Sequence, residues 1–327
     1  MSEIGDSTEK KPLLSVIIPV YNVEDYVRDT LDSVRNQSYK NVEFIVINDG
    51  STDSSGDIIE EYRAKDDRFR IYHQENVGLS TTRNRGLRKA QGDIIYFFDS
   101  DDVLIEGAFE KVIDRMQDTD SQIVFFGLML INKDGKKARG YTVKKRSDVE
   151  KPIKGKVFLQ QMITSKTYGA VVQKYFIRKS FLEKTNLTFE DNQIHEDESF
   201  TLETLCLADR ITSFSETMIK KRLREHSIMS TSKGIKNVEG WARAIERVLN
   251  FINKNDIDER TREAVLTRLR TIAHTAIRTL RNLDHPKKPV EHYLPNETQN
   301  NLGFLVKAHA KSTFLYRVFK FINRKIG

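Results

Sequence analysis

The sequence predicts an α/β protein: a mostly parallel sheet flanked by helices, with a helical appendage at the C-terminal end. Three observations predict it. Strand and helix patterns alternate through the first hundred residues, the strand segments are continuous apolar runs, and helical spacing takes over after about residue 236. Continuous apolar strands imply a sheet covered on both faces, whose ligands bind beyond the strands' carboxyl ends.

The elements follow in order. "LLSVIIPVY" and "VEFIVIND" are β-branched runs that end in Pro or Asp-Gly, and between them Tyr26 or Val27, Leu31 and Val34 recur at helical spacing. A helix near 54–64, a strand "FRIYH", a helix near 79–90 and the strand "DIIYFF" complete a β-α-β-α-β-α-β series. A helix near 106–116 leads to the strand "QIVFFGLMLIN", and a Gly/Lys-rich surface loop follows it. "EDNQIHEDESFTLETLCLA" reads as a loop entering a helix. Trp241, Ile245, Val248, Leu249 and Ile252 then make one helical face, and Val265, Leu269, Ile272, Ala276 and Leu280 a second. The expected division is a tail over 1–12, an α/β part over 13–105, a less regular part over 106–235, and a basic helical region over 236–327.

Charge is unevenly distributed along the 327 residues. The net +7 divides into +13 from residue 220 onward and −6 before it. A basic C-terminal third suits a polyanion or an anionic membrane surface, and "HAKSTFLYRVFKFINRKIG" sharpens that expectation. There Phe314, Leu315, Val318, Phe319, Ile322 and Ile326 share one side, with lysines and arginines largely off it. Such a helix over 312–327 either lies on an anionic membrane or packs on its own domain or a second copy in a homo-oligomer. No nucleic-acid-binding motif is recognisable, so nucleic acid is not an expected partner. A single cysteine, Cys206, reads as a core residue of a chain kept in a reducing compartment. The N-terminal tail lacks the apolar centre of a signal peptide, and no run of 18 apolar residues exists to span a bilayer. The expected location is cytoplasmic, peripheral on the inner face of the plasma membrane if the last helix docks there.

Polar residues gather where the strands end: Tyr21 and Asn22 after the first, Asp49 and Gly50 after the second, Asp99, Asp101 and Asp102 after "DIIYFF". Each has an ordinary use, since Asp-Gly-Ser-Thr-Asp also makes a good turn and helix cap, but together they converge on one crevice. Carboxylates one residue apart on a chain leaving a strand can aim at one cation, and hard oxygen ligands suit Mn²⁺ or Mg²⁺. Such ions favour phosphate oxygens, so the cluster points to a nucleoside diphosphate. Neither G-x-G-x-x-G nor G-x-x-x-x-G-K-[ST] is present, so phosphate must be held through a metal and side chains.

The ordered set "LSVIIPVYN" (14–22), "SVRNQSYKNVEFIVINDGSTDSS" (33–55), "NVGLSTTRNRGL" (76–87), "GDIIYFFDSDD" (92–102) and "HEDESF" (195–200) resembles the family-two glycosyltransferases of the GT-A fold. "KKRLREHSIMST" is similar to the loop that follows the acceptor subdomain in bacterial members building surface polysaccharide. The resemblance covers about the first 230 residues. It implies that Pro19 and Tyr21 flank the nucleobase, Asp49 accepts from its ring nitrogen, and Arg83 lies against the nucleotide. Asp99 would reach the ribose or the metal's waters, and Asp101 would be the main metal ligand. Asp102 would either face the donor sugar or cap the next helix. Asp197 would be the general base, Glu196 would orient the acceptor hydroxyl or that base, and Arg224 and His226 would close over the diphosphate.

The implied activity is metal-dependent inverting transfer from a UDP-sugar to a hydroxyl of a glycan or lipid-linked acceptor. "HEDESF" is not the zinc motif H-E-x-x-H, because Ser199 stands where the second histidine would be. Its acids could also simply favour a helix N-terminus. The rival expectation is a catalytically silent binding protein of the same fold.

Overall fold

A computed structural model describes residues 11–138, 144–223 and 235–282. Its first half alternates as expected: β1 (Leu14–Val20), α1 (Val27–Arg35), β2 (Val42–Asp49), α2 (Ser55–Lys65), β3 (Phe69–Gln74), α3 (Leu79–Lys89) and β4 (Ile94–Phe97). A short β5 (Val103–Leu104), α4 (Ala108–Asp118) and β6 (Ile123–Ile131) follow. Then come β7 (Val149–Ile153), α5 (Gly155–Thr164), a 3₁₀ turn at Val172–Lys174, β8 (Tyr175–Arg178) and α6 (Lys179–Thr185). The described chain ends with α7 (Glu196–Leu207), β9 (Ile211–Arg222), α8 (Ile235–Lys254) and α9 (Glu259–Asn282).

All nine strands join one sheet in the order β3-β2-β1-β4-β8-β6-β9-β5, with β7 paired to β9. The first four run parallel, and β8 enters antiparallel between β4 and β6. Every residue of β1 and β2 is buried, as continuous apolar strands require, and a hydrophobic cluster covers each face. One cluster packs α1, α2 and α4 against the sheet, and the other packs α5, α7, α8 and α9. Val248, Ile252, Val265, Leu269 and Ile272 all belong to the second cluster, so the helical region is built onto the sheet. The side chain of Leu280 and the segment 312–327 lie outside the described residues.

Two strands depart from the expectation. The loop before α5 contains β7, whose "VEKPI" hides a strand because Pro and two charges break the apolar pattern. Residues 211–222 form a long strand where only a loop is expected from 220 onward. Its basic end is held by pairing with β5 and β6. Cys206 is buried, and burial pushes its thiol up to about 12.

Candidate active site

The parallel strands β1, β2 and β4 end on one side of the sheet, and the polar residues gather there. Pro19 is buried in β1, and Tyr21, just beyond it, is 49% exposed. Asn22 adopts a left-handed conformation and accepts from the Thr52 backbone N–H at 2.8 Å, joining the first strand end to the second. Asp49 accepts from Gln74 Nε2 at 2.7 Å, Val77 N at 2.9 Å and Gly78 N at 2.9 Å. It therefore fixes the loop that enters α3, while Oδ2, with one bond, keeps room for a second donor. Gly50 makes the turn possible: it has φ +73°, and a Cβ there would lie 2.8 Å from Asn76 N.

Beyond β4, three aspartates have three different surroundings. Asp99 accepts from Arg83 Nη2 at 2.7 Å, Gln173 Nε2 at 2.8 Å and Lys221 Nζ at 3.2 Å. Burial opposes its charge, but Lys221 and Arg83 outweigh burial and hold it at about 2. Asp101 is buried, and its backbone carbonyl accepts from Arg222 Nε at 3.1 Å. Asp102 is 0% exposed. It accepts from Arg222 N at 2.6 Å, Gln173 Nε2 at 2.8 Å and Lys221 Nζ at 3.2 Å. Burial pushes Asp102 up to about 7 against the pull of Lys221, with Asp101 and Asp99 adding to the rise. This corrects one expectation for Asp102: enclosed against β9, it does not cap α4, which follows Gly107.

One oxygen from each of Asp99, Asp101 and Asp102 lies within 4.8 Å of the others. Beside them Gln173 Oε1 is buried without a hydrogen-bond donor, an acceptor left open next to the carboxylates. Hard oxygens at this spacing fit Mn²⁺ or Mg²⁺. Asp102 is sealed from solvent while the Asp99 side chain stays 24% exposed, so Asp99 and Asp101 are the residues that would hold the ion.

The second half of the site is the start of α7. Its first turn carries Glu196, Asp197 and Glu198, a placement the helix dipole favours. The outer two are paired: Glu196 with Arg83 Nη1, and Glu198 with Arg268 of α9. Among the described residues no hydrogen bond engages the partly exposed carboxylate of Asp197 between them. Burial, then the charges of Glu196 and Glu198, raise Asp197 well above the usual carboxylate range, although Arg83 opposes them. Burial likewise raises Glu196. A carboxylate with raised proton affinity and no partner of its own is suited to take a proton.

Several supports of this helix are illegible in the sequence. Asn84 of α3 brackets the preceding loop, donating to Phe189 O at 2.8 Å and Asp191 Oδ1 at 2.9 Å. His195, left-handed at φ 63°, stacks on Trp241 with ring centroids 4.5 Å apart, and its Nε2 lies 2.9 Å from Asn237 Oδ1. Gln173, Lys221 and Arg268 are the other additions to the expected set. A basic pair following "MI" in 218–221 was the one available signal for Lys221. Arg224 and His226 lie outside the described residues.

The family model for glycosyl transferase family 2 matches residues 15–185, which include both strand-end clusters. The chain belongs to glycosyl transferase family 2. Among curated members, the uncharacterized glycosyltransferase EpsJ of Bacillus subtilis is 31% identical over 220 residues, 66% of this chain and 63% of the relative. TuaG of the same organism, described as a putative teichuronic acid biosynthesis glycosyltransferase, is 40% identical over 129 residues, 39% of this chain and 51% of TuaG. The match to EpsJ thus spans less than two thirds of that relative's length. In fold, the chain is similar to residues 1–349 of Staphylococcus aureus TarS, solved with UDP-GlcNAc. The TM-score is 0.72 at 20% identity, covering 96% of this chain and 92% of that one. This member of the family therefore has the GT-A arrangement, and among its described residues no helix is long and apolar enough to cross a membrane.

Proposed function

We propose that the protein is a metal-dependent, inverting glycosyltransferase that moves a sugar from a UDP-sugar to a hydroxyl of a glycan or lipid-linked acceptor in bacterial surface polysaccharide synthesis. One observation carries the reading: the Arg83 guanidinium bonds Asp99 and Glu196 at once, so the strand-end acids and the acids of α7 face a single crevice. The teichuronic acid role ascribed to TuaG and the UDP-GlcNAc bound to TarS support the polymer and the donor class.

Tyr21 and Asp49 bind the base, the latter through the open side of Oδ2. Asp101 and Asp99 would hold Mn²⁺ or Mg²⁺, which when bound supplies Lewis-acid stabilisation of the diphosphate leaving group. Asp197 takes the proton of the acceptor hydroxyl as its oxygen attacks the anomeric carbon. The new C–O bond forms on the face opposite the departing oxygen. The bond to the β-phosphate oxygen breaks with its electron pair leaving on the diphosphate, and the anomeric configuration inverts. Glu196, fixed by Arg83, positions the start of α7. Arg224 and His226 remain proposed contacts of the diphosphate.

The test is a panel of UDP-, dTDP- and GDP-sugars with and without Mn²⁺, read by thermal melting and by nucleoside diphosphate release. A metal-dependent UDP response with release supports the reading. Binding without release or transfer from any donor returns the chain to the silent-protein alternative.

A further inference from the structure

Buried Lys174 and half-buried Arg146 are two cations on the α7 side of the sheet that no acid answers among the described residues. The Arg146 guanidinium lies over the rings of Phe125, 4.9 Å from the centroid, and Phe158, 5.5 Å away. Its Nε and Nη1 are buried with no acceptor. Lys174, at the end of the 3₁₀ turn, is 6% exposed, and among the described residues its ammonium makes neither a hydrogen bond nor an ion pair. Burial and the charge of Arg146 press Lys174 down to about 7, and burial presses Arg146 down to about 10. There is room beside the ammonium: a Cβ built on Gly169 would meet nothing within 4 Å except Lys174 Nζ, at 4.0 Å.

The location matters as much as the charge. Tyr168, next to Gly169, has a buried hydroxyl without a partner, and its ring lies 4.9 Å under Arg268, the residue paired with Glu198. The segment around Lys174 therefore reaches both parts of the site: through Tyr168 it adjoins the helix start that carries Asp197, and through Gln173 it touches Asp99 and Asp102. A buried cation without a counter-charge is costly, and proteins normally supply an acid or leave the group in water. Among the described residues no acid pairs with either cation, and open space remains beside the ammonium.

We propose that Arg146 and Lys174 form a subsite for an anionic group of the acceptor, a carboxylate or a phosphate ester, so that the acceptor is an acidic glycan chain. This rests on the glycosyltransferase reading above and names its acceptor class.

The experiment is thermal melting of the full chain saturated with UDP and Mg²⁺. It is titrated with glucuronate against glucose, and with glycerol phosphate against glycerol, in the parent, Lys174→Met and Arg146→Gln. The expected result is a Tm rise of about 3 °C at ~10 times the dissociation constant for at least one anion, none for its neutral counterpart, and loss of the rise in both variants. Response to glucuronate alone identifies an acidic sugar, and response to glycerol phosphate alone a phosphate-bearing chain. Without anion, Lys174→Met should melt at or above the parent, since it removes an unanswered charge. If that variant does not fold, Arg146→Gln decides. A parent that responds to UDP but to no anion overturns the subsite, as does an anion response unchanged in the variants. Failure of UDP itself to raise the Tm counts against the donor reading alone, because the anion response of the variants is read separately.

Discussion

Arg83 and Glu196 stand 113 positions apart and meet as a buried ion pair, while the other arm of the same guanidinium donates to Asp99 at 2.7 Å. One planar, two-armed cation thus joins the strand end proposed to bind the donor to the helix proposed to deprotonate the acceptor. Removing it leaves buried Glu196 without its counter-charge and half-buried Asp99 with Lys221 alone. Arg83→Met is expected to lose about 3–5 kcal/mol of stability, the scale for breaking a buried pair from one side. Arg83→Lys keeps the charge without the fork and should recover stability in part and transfer hardly at all. Urea unfolding together with transfer rates checks both.

Asp101→Ala should weaken UDP binding in Mn²⁺ by about tenfold or more and erase its dependence on the ion, since a metal-site group typically matters on that scale. The adjacent Ser100 offers no carboxylate to replace it. Calorimetry with UDP, with and without Mn²⁺, measures this, and unchanged affinity with unchanged metal dependence would remove Asp101 from the site. Asp49→Ala should instead loosen the loop through Val77 and Gly78 and lower UDP affinity even without metal.

Gly240 lets the C-terminal helices close on the loop before Asp197. A Cβ there would lie 2.5 Å from the Ile194 carbonyl oxygen, closer than atoms can sit, so α8 approaches the loop before Asp197 by way of this glycine. Gly240→Ala should cost ~1–3 kcal/mol through overpacking and displace the start of α7. The expected kinetic result is a lower turnover with UDP affinity nearly intact.

These contacts mark how far the sequence is legible. Strands β1, β2 and β4 announce themselves because burial on both faces leaves them uniformly apolar, and the acids at their ends are conspicuous against that run. Strand β9 does not, since its last residues are the Lys-Lys-Arg that also serves Asp99 and Asp102, and a strand ending in three cations looks like a loop. The partners of the acids were equally hidden. Nothing local to Glu198 points to Arg268, or local to His195 to Trp241, because tertiary packing alone brings those residues together. The sequence therefore displays the carboxylates of the candidate site and conceals the cations and aromatic ring that hold them in place.

Lys174 makes a prediction about pH. Its folded value near 7 lies below the ordinary 10.5, so between those limits the unfolded chain binds more protons than the folded one. Stability should therefore rise with pH across that window through this group, and the rise should be absent in Lys174→Met. Urea titrations at pH 7, 8.5 and 10 on parent and variant give the difference directly. A parent and variant whose stabilities stay parallel would place the lysine in contact with water or an acid.

Asp197 separates acceptor chemistry from donor binding. Asp197→Asn keeps the side-chain shape but cannot take the acceptor's proton, so transfer should fall by ~10²-fold or more while UDP affinity hardly changes. Asp191→Asn is the control from the same loop: it retains an oxygen to accept from Asn84 and should keep most activity. The pH profile adds an independent reading. Because Asp197 is raised above the usual carboxylate range, the acid limb of kcat should fall above the range of free aspartate, with rate lost as pH drops through that limb. Glu198→Gln removes one of the charges that raise Asp197, so it should move the limb to lower pH while leaving Glu196 with Arg83. If Asp197→Asn transfers sugar at near the parental rate, the base is misassigned. If nucleotide affinity falls in parallel with rate, "HEDESF" serves the donor or the fold, and Glu196 becomes the next carboxylate to test.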